Sequence, residues 1–136
     1  MARYYQNIRS YHLAYNFVLA VYNYTKNFPK SEESNLRSQL RRAAVSLPLN
    51  IAEGSAKSSQ KEFLYFLGVA YASAKEVEVL LSLCLDLGYF KKLEYDSLSK
   101  SLDEFNAKLF LFMRDIESRV TGNRTKFFRK FEGVSD

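Results

Sequence analysis

The sequence predicts an all-α protein: an antiparallel up-and-down four-helix bundle with a proline-kinked second helix. Three observations predict it. Apolar residues recur every three or four positions through four long segments, the period of a helix that buries one face. There are only five glycines and two prolines among 136 residues, too few for the turns of a loop-rich β fold. No segment shows the strict alternation of a half-buried strand. A hydrophobic content of 47% is enough for one domain with a real core. Four long helices with short connections make the up-and-down arrangement.

Asn7 is the expected N-cap of the first helix. Ile8, Tyr11, Tyr15, Val18, Tyr22 and Thr25 form one stripe, and Leu13, Phe17, Ala20 and Tyr24 form a second beside it. A helix apolar over most of its circumference is buried on more than one side, so the extra face is read as a subunit interface. Residues 10–25 carry no formal charge. The run is nevertheless shorter than the roughly 20 apolar residues of a membrane span and includes His12, Asn16 and Asn23. A buried helix is the reading. Pro29 restricts Phe28 to extended backbone and ends this helix.

Ser31 is the candidate N-cap of the second helix, with Glu32 and Glu33 suited to the positive end of its dipole. Leu36, Leu40, Ala44, Leu47 and Ile51 share its apolar face. Arg37 and Arg41 lie four apart on a separate stripe, flanked by Arg42. Pro48 falls inside the helix, where it removes an amide donor and crowds the carbonyl of Ala44 at a cost of about 3 kcal/mol. The apolar spacing continues in register through Ile51, so a kink is expected rather than a stop. Ala43, Ala44 and Ser46 are small enough to let another backbone approach. Asn50 and Glu53, three apart, share a face. With Pro48 and Gly54 they are read as structural or interface residues. The helix is expected to end between Gly54 and Lys57.

Ser59 to Glu62 reads as a capping box for the third helix. Phe63, Leu67, Ala70, Ala74, Val77, Leu81 and Cys84 alternate four and three apart, a heptad seam, and Gly88 stands where a C-cap glycine belongs. The fourth helix carries Tyr95, Leu98, Leu102, Phe105, Leu109, Phe112 and Ile116, begins at Lys91-Lys92 without an obvious side-chain cap, and can end at Gly122. The bundle domain is assigned to residues 1–121 and a basic, aromatic tail to 122–136. The ten tyrosines are read mostly as core or interface.

The net charge is +5, and it is unevenly spread. Residues 1–31 hold Arg3, Arg9, Lys26 and Lys30 and no acid, whereas residues 62–118 hold ten acids and six bases. Basic ends are where polyanion contacts are sought. The single cysteine permits no disulfide within the chain, and the N-terminal residues show no apolar signal core. Both point to the cytoplasm.

The stretch SQLRRAAVSLPLNIAEG (residues 38–54), the KEF at Lys61 to Phe63 and the DLGYF at Asp86 to Phe90 together resemble the family of 23S rRNA intervening-sequence proteins. Asn7-Ile8-Arg9 with Tyr11 is similar to that family's opening Asp-Leu-Lys-x-Trp. The resemblance spans roughly residues 7–120. It implies a four-helix bundle, commonly a homopentamer with a central channel, and no firm biochemical activity. Some members are encoded in sequences inserted in bacterial 23S rRNA genes. A related bundle, the accessory variability determinant of diversity-generating retroelements, is a basic pentamer that binds nucleic acid and a reverse transcriptase. The departures are Asn7, Tyr11, the Lys91-Lys92 start and the FFRKF tail.

Arg37, Arg41 and Arg42 admit two readings. Guanidiniums grip phosphate oxygens in pairs, or the three are tied in salt bridges to Glu53, Glu76 or Glu78, within or between subunits. In the tail, Arg124, Lys126, Arg129 and Lys130 interleave with Phe127, Phe128 and Phe131, a pattern suited to single-stranded nucleic acid. Docking of those rings on a subunit is the second reading there, and a membrane surface the last. His12 and Cys84 are the only residues of their types. Cys84 stands in a core seam, so the pair is not read as catalytic. No Glu-x-x-His pair for a di-metal bundle and no phosphate-binding glycine loop is present. No catalytic residue, metal or cofactor is expected. The expected function is that of a non-enzymatic homo-oligomer binding nucleic acid, RNA ahead of DNA. The alternative is a protein-interaction scaffold or accessory subunit, for example of a reverse transcriptase.

Overall fold

Four α-helices and two 3₁₀ turns make up residues 4–121, the part of the chain that the computed structural model describes. Helix α1 spans Arg9–Tyr24, α2 Leu36–Ser55, α3 Gln60–Asp86 and α4 Lys92–Thr121. Among the described residues there is no strand. α1 packs on α2 and α4, and α3 packs on the same two. The two therefore stand at opposite corners of an up-and-down bundle. The core is one cluster in which Phe17, Leu40, Leu47, Ile51, Leu67, Leu81, Leu98, Phe105 and Leu109 are fully buried.

The seam of α3 lies inward at every expected position, from Phe63 to Cys84. That of α4 does so at Leu98, Leu102, Phe105, Leu109 and Ile116. Met113 joins it, whereas Tyr95 and Phe112 are half-buried. In α1 the inward ridge is Ser10, Ala14, Phe17 and Val21, continued by Thr25. This corrects the expected stripe: Tyr15 and Tyr22 face out, and Ala14 takes the contact because a small side chain lets the neighbouring helices close in. None of the ten tyrosines is fully buried, since each hydroxyl needs water or a partner at the rim.

The caps also depart from expectation in part. Asn7 ends the 3₁₀ turn Tyr5–Asn7, and Ile8 precedes α1 without a side-chain cap. Ser31 lies in the second turn, Lys30–Glu32, and α2 begins later. Its start is capped by Glu32, whose Oε1 accepts from the Leu36 amide at 3.2 Å. Ser59 Oγ accepts from the Glu62 amide at 3.1 Å, half of the expected box. α4 has a cap after all: Glu94 Oε1 accepts from the Lys91 amide at 2.8 Å. Gly88 follows α3 at φ +82°, a left-handed conformation open to glycine without penalty.

α2 continues through Pro48 to Ser55. Burying Leu47 and Ile51 completely contributes about 1.5–3 kcal/mol each, which offsets the proline's cost of about 3 kcal/mol. Asn50 Nδ2 donates to the Ser46 carbonyl and hydroxyl, both at 2.8 Å, spanning the turn that holds Pro48. Ser46 Oγ in turn meets Ser73 Oγ of α3 at 2.9 Å. Near its end, α2 meets α3 across Gly54. A Cβ there would lie 2.7 Å from Phe66 Cβ and 3.0 Å from Phe63 Cδ1. Glu53 is exposed. No helix among the described residues is long and apolar enough to cross a membrane.

Candidate nucleic-acid interface

The end of α1 and the first turns of α2 meet side by side, and the three arginines gather along that junction. Thr25 terminates α1. Its hydroxyl donates to the Val21 carbonyl at 2.7 Å and accepts from Arg41 Nε at 2.9 Å. Arg41 Nη2 donates to the Tyr22 carbonyl at 3.3 Å. A cation therefore sits at the negative end of the α1 dipole. The same guanidinium lies 4.2 Å from the centroid of the Tyr22 ring, within cation–π range.

Arg37 and Arg42 flank this centre. Arg37 Nη2 pairs with Glu33 Oε1 at 3.1 Å, one turn earlier. A cation in the first turn of α2 opposes that helix's dipole, and Glu33 offsets it. Arg42 is exposed and donates from Nη2 to Ser38 Oγ at 2.9 Å. Within the chain none of these partners is Glu53, Glu76 or Glu78; local ones take their place. Together the arginines, Tyr22, Glu33, Ser38 and Val45 line a groove of about 370 Å³. Three guanidiniums against one carboxylate make it a cationic groove, and each retains donors beyond those bonded here. Arg124, Lys126, Arg129 and Lys130 lie outside the described residues.

A second, apolar groove of about 430 Å³ adjoins it along α1 and α2. Tyr5, Tyr11, Tyr15, Val18, Leu19, Pro48 and Leu49 line it, and Val45 borders both grooves. Tyr5 and Tyr11 meet edge to face at 4.8 Å. Burial pushes the Tyr11 phenol above its usual pKa, with Tyr5 and Tyr15 adding to the effect. Tyr15, Leu19 and Leu49 are each half or more exposed.

Nothing in the described part resembles a catalytic centre. Burial pushes the Cys84 thiol up to about 11, and the thiolate that nucleophilic chemistry needs is scarce. His12 is exposed in the first turn of α1, against the Gln6 carbonyl. Cys84 is near the end of α3, at the other end of the bundle. Among the described residues no group of three His, Cys, Asp or Glu side chains is placed to hold a metal. Tyr22, which lines the arginine groove, and Thr25, which holds Arg41 from beneath it, stand at ordinary apolar-stripe positions, and spacing alone does not mark them. Glu33, four residues before Arg37, was a readable partner.

A family model described as 23S rRNA-intervening sequence protein matches residues 6–110. Among solved structures, a protein of unknown function from the S23 ribosomal protein family of Bacteroides thetaiotaomicron VPI-5482 is similar, with a TM-score of 0.71 and 24% identity. The similarity covers 77% of this chain and 95% of that one, and at that identity it bears on the fold alone. No curated protein matches the sequence.

Proposed function

The chain belongs to the 23S rRNA-intervening sequence protein family, and from that membership and the two grooves we infer a non-enzymatic, cytoplasmic homo-oligomer that binds nucleic acid, RNA in preference to DNA. The observation that carries the reading is the gathering of Arg37, Arg41 and Arg42 in one groove. Guanidiniums in a shared concavity suit phosphate oxygens, which accept two hydrogen bonds from each fork. The adjoining apolar groove supports assembly. Val45 borders both, so joining subunits through the apolar groove would set the arginines along the rim of the interface and repeat them around the oligomer. The homopentamer implied by the resemblance is one such assembly.

The test is fluorescence anisotropy of nuclease-treated protein with labelled RNA across a salt series, with duplex DNA as competitor. Each phosphate contact adds roughly −0.7 to −0.9 to the log–log salt slope. Arg37→Ala/Arg42→Ala is the variant of choice, because Arg41 also caps α1 and its loss would disturb the fold. Weaker binding and a shallower slope with the fold intact are expected. No binding at low salt, or an unchanged affinity in the double variant, overturns the reading. The exposed Tyr15, Leu19 and Leu49 also favour a second reading, a scaffold or accessory subunit for another protein such as a reverse transcriptase. Recovery of a defined partner from nuclease-treated lysate, lost in Leu49→Lys, would select it.

A further inference from the structure

We propose that Tyr22 is a base-stacking platform that makes the arginine groove selective for single-stranded nucleic acid. The proposal rests on the nucleic-acid reading above and names its ligand class.

Tyr22 is 41% exposed, yet it is held. The Arg41 guanidinium lies 4.2 Å from its centroid, and Arg41 is itself fixed by Thr25 Oγ1 at 2.9 Å and the Tyr22 carbonyl at 3.3 Å. A ring held in place this way loses little rotamer freedom when a base lies on it. Among the described residues Tyr22 is the only aromatic side chain lining this groove, and Arg37 and Arg42 line it too. Cations for phosphates beside a ring for a base is the pairing that single strands use.

Size and polarity agree. A volume of about 370 Å³ is at the small end of ligand sites, with room for one extruded nucleotide. The groove also holds the Glu33 carboxylate, which would repel a phosphate and accept from a base amino group. A ligand of phosphates alone would make no use of the Tyr22 ring, whereas Glu33, paired with Arg37, keeps lone pairs for a base.

The test compares three labelled probes of equal length: single-stranded RNA, the same strand with abasic sites, and duplex RNA. Wild-type protein is expected to prefer the base-bearing single strand. Tyr22→Ala should weaken that probe roughly 5- to 150-fold and leave the abasic strand unchanged. Tyr22→Phe should bind as wild type. Tyr22→Leu, which keeps apolar bulk without a π face, should behave like the alanine variant and covers any folding defect in it. Equal loss on the abasic strand, or no loss on the base-bearing one, overturns the proposal. Arg37→Ala/Arg42→Ala run alongside separates the two failures. If it weakens every probe while Tyr22→Ala weakens none, only the stacking role falls. If wild-type protein binds no probe, both readings fall.

Discussion

The Glu32 carboxylate accepts from the Tyr89 hydroxyl at 2.7 Å, the Asn35 side-chain amide at 3.0 Å and the Leu36 backbone amide at 3.2 Å. One side chain thus starts α2 and ties the α1–α2 connection to the turn between α3 and α4. Phe28 packs between Tyr89 and Phe90 at the same end, with centroids 5.5 and 5.1 Å away. The Tyr89 bond, then that from Leu36, holds the Glu32 carboxyl below its usual pKa. A folded-state value below the unfolded one contributes stability above the unfolded value, near 4.3 for glutamate. That contribution is lost as pH falls through the folded value. Urea melts at pH 7 should therefore find Glu32→Gln less stable than wild type, and the gap should close below about pH 4. A gap of the same size in acid would show that the ionised form has no special role.

At the scale of the helix, the α2–α3 contact depends on Gly54. Gly54→Ala would set a methyl 2.7 Å from Phe66 Cβ, so a backbone shift must follow. A loss of about 1–3 kcal/mol is expected, read as a lower melting temperature with helix content retained. An unchanged melting temperature would mean that the two helices separate freely at this point. The α3 seam was legible because its positions keep a strict heptad and carry ordinary core residues. The α1 ridge was legible only at Phe17 and Thr25, because close packing chose Ser10 and Ala14 while the large tyrosines went to the rim. Size and burial run opposite there, and a reading weighted towards large apolar residues picks the wrong face. The arginine stripe was legible from its spacing. Its partners were not: Arg41 reaches Thr25 and Tyr22, 16 and 19 positions away, and those contacts depend on how α1 turns into α2.

Across the whole molecule, apolar side chains are exposed on every helix, and the two diagonal ones carry distinct patches. Tyr15 and Leu19 project from α1, Val79 and Leu83 project from the last third of α3, and Leu87 follows its end. Two different patches on opposite corners would suit a head-to-tail interface, which gives a ring where the rotation closes, better than a self-complementary dimer. Leu19→Lys and Leu83→Lys should then each give monomers by light scattering. Mixed together they should form a one-to-one dimer through the one intact pair of patches. A variant that keeps the wild-type mass would rule out this geometry. Such an assembly would leave the interior of each bundle as it is, and Cys84 shares that interior, fully buried with its thiol pushed up to about 11. It is also the only thiol in the chain. An alkylating reagent reaches it only while α3 stands apart from its neighbours, so the rate of modification counts those openings. The protein carries a native clock for its own breathing, and a ligand or neighbouring subunit that steadies the bundle should make it run slow.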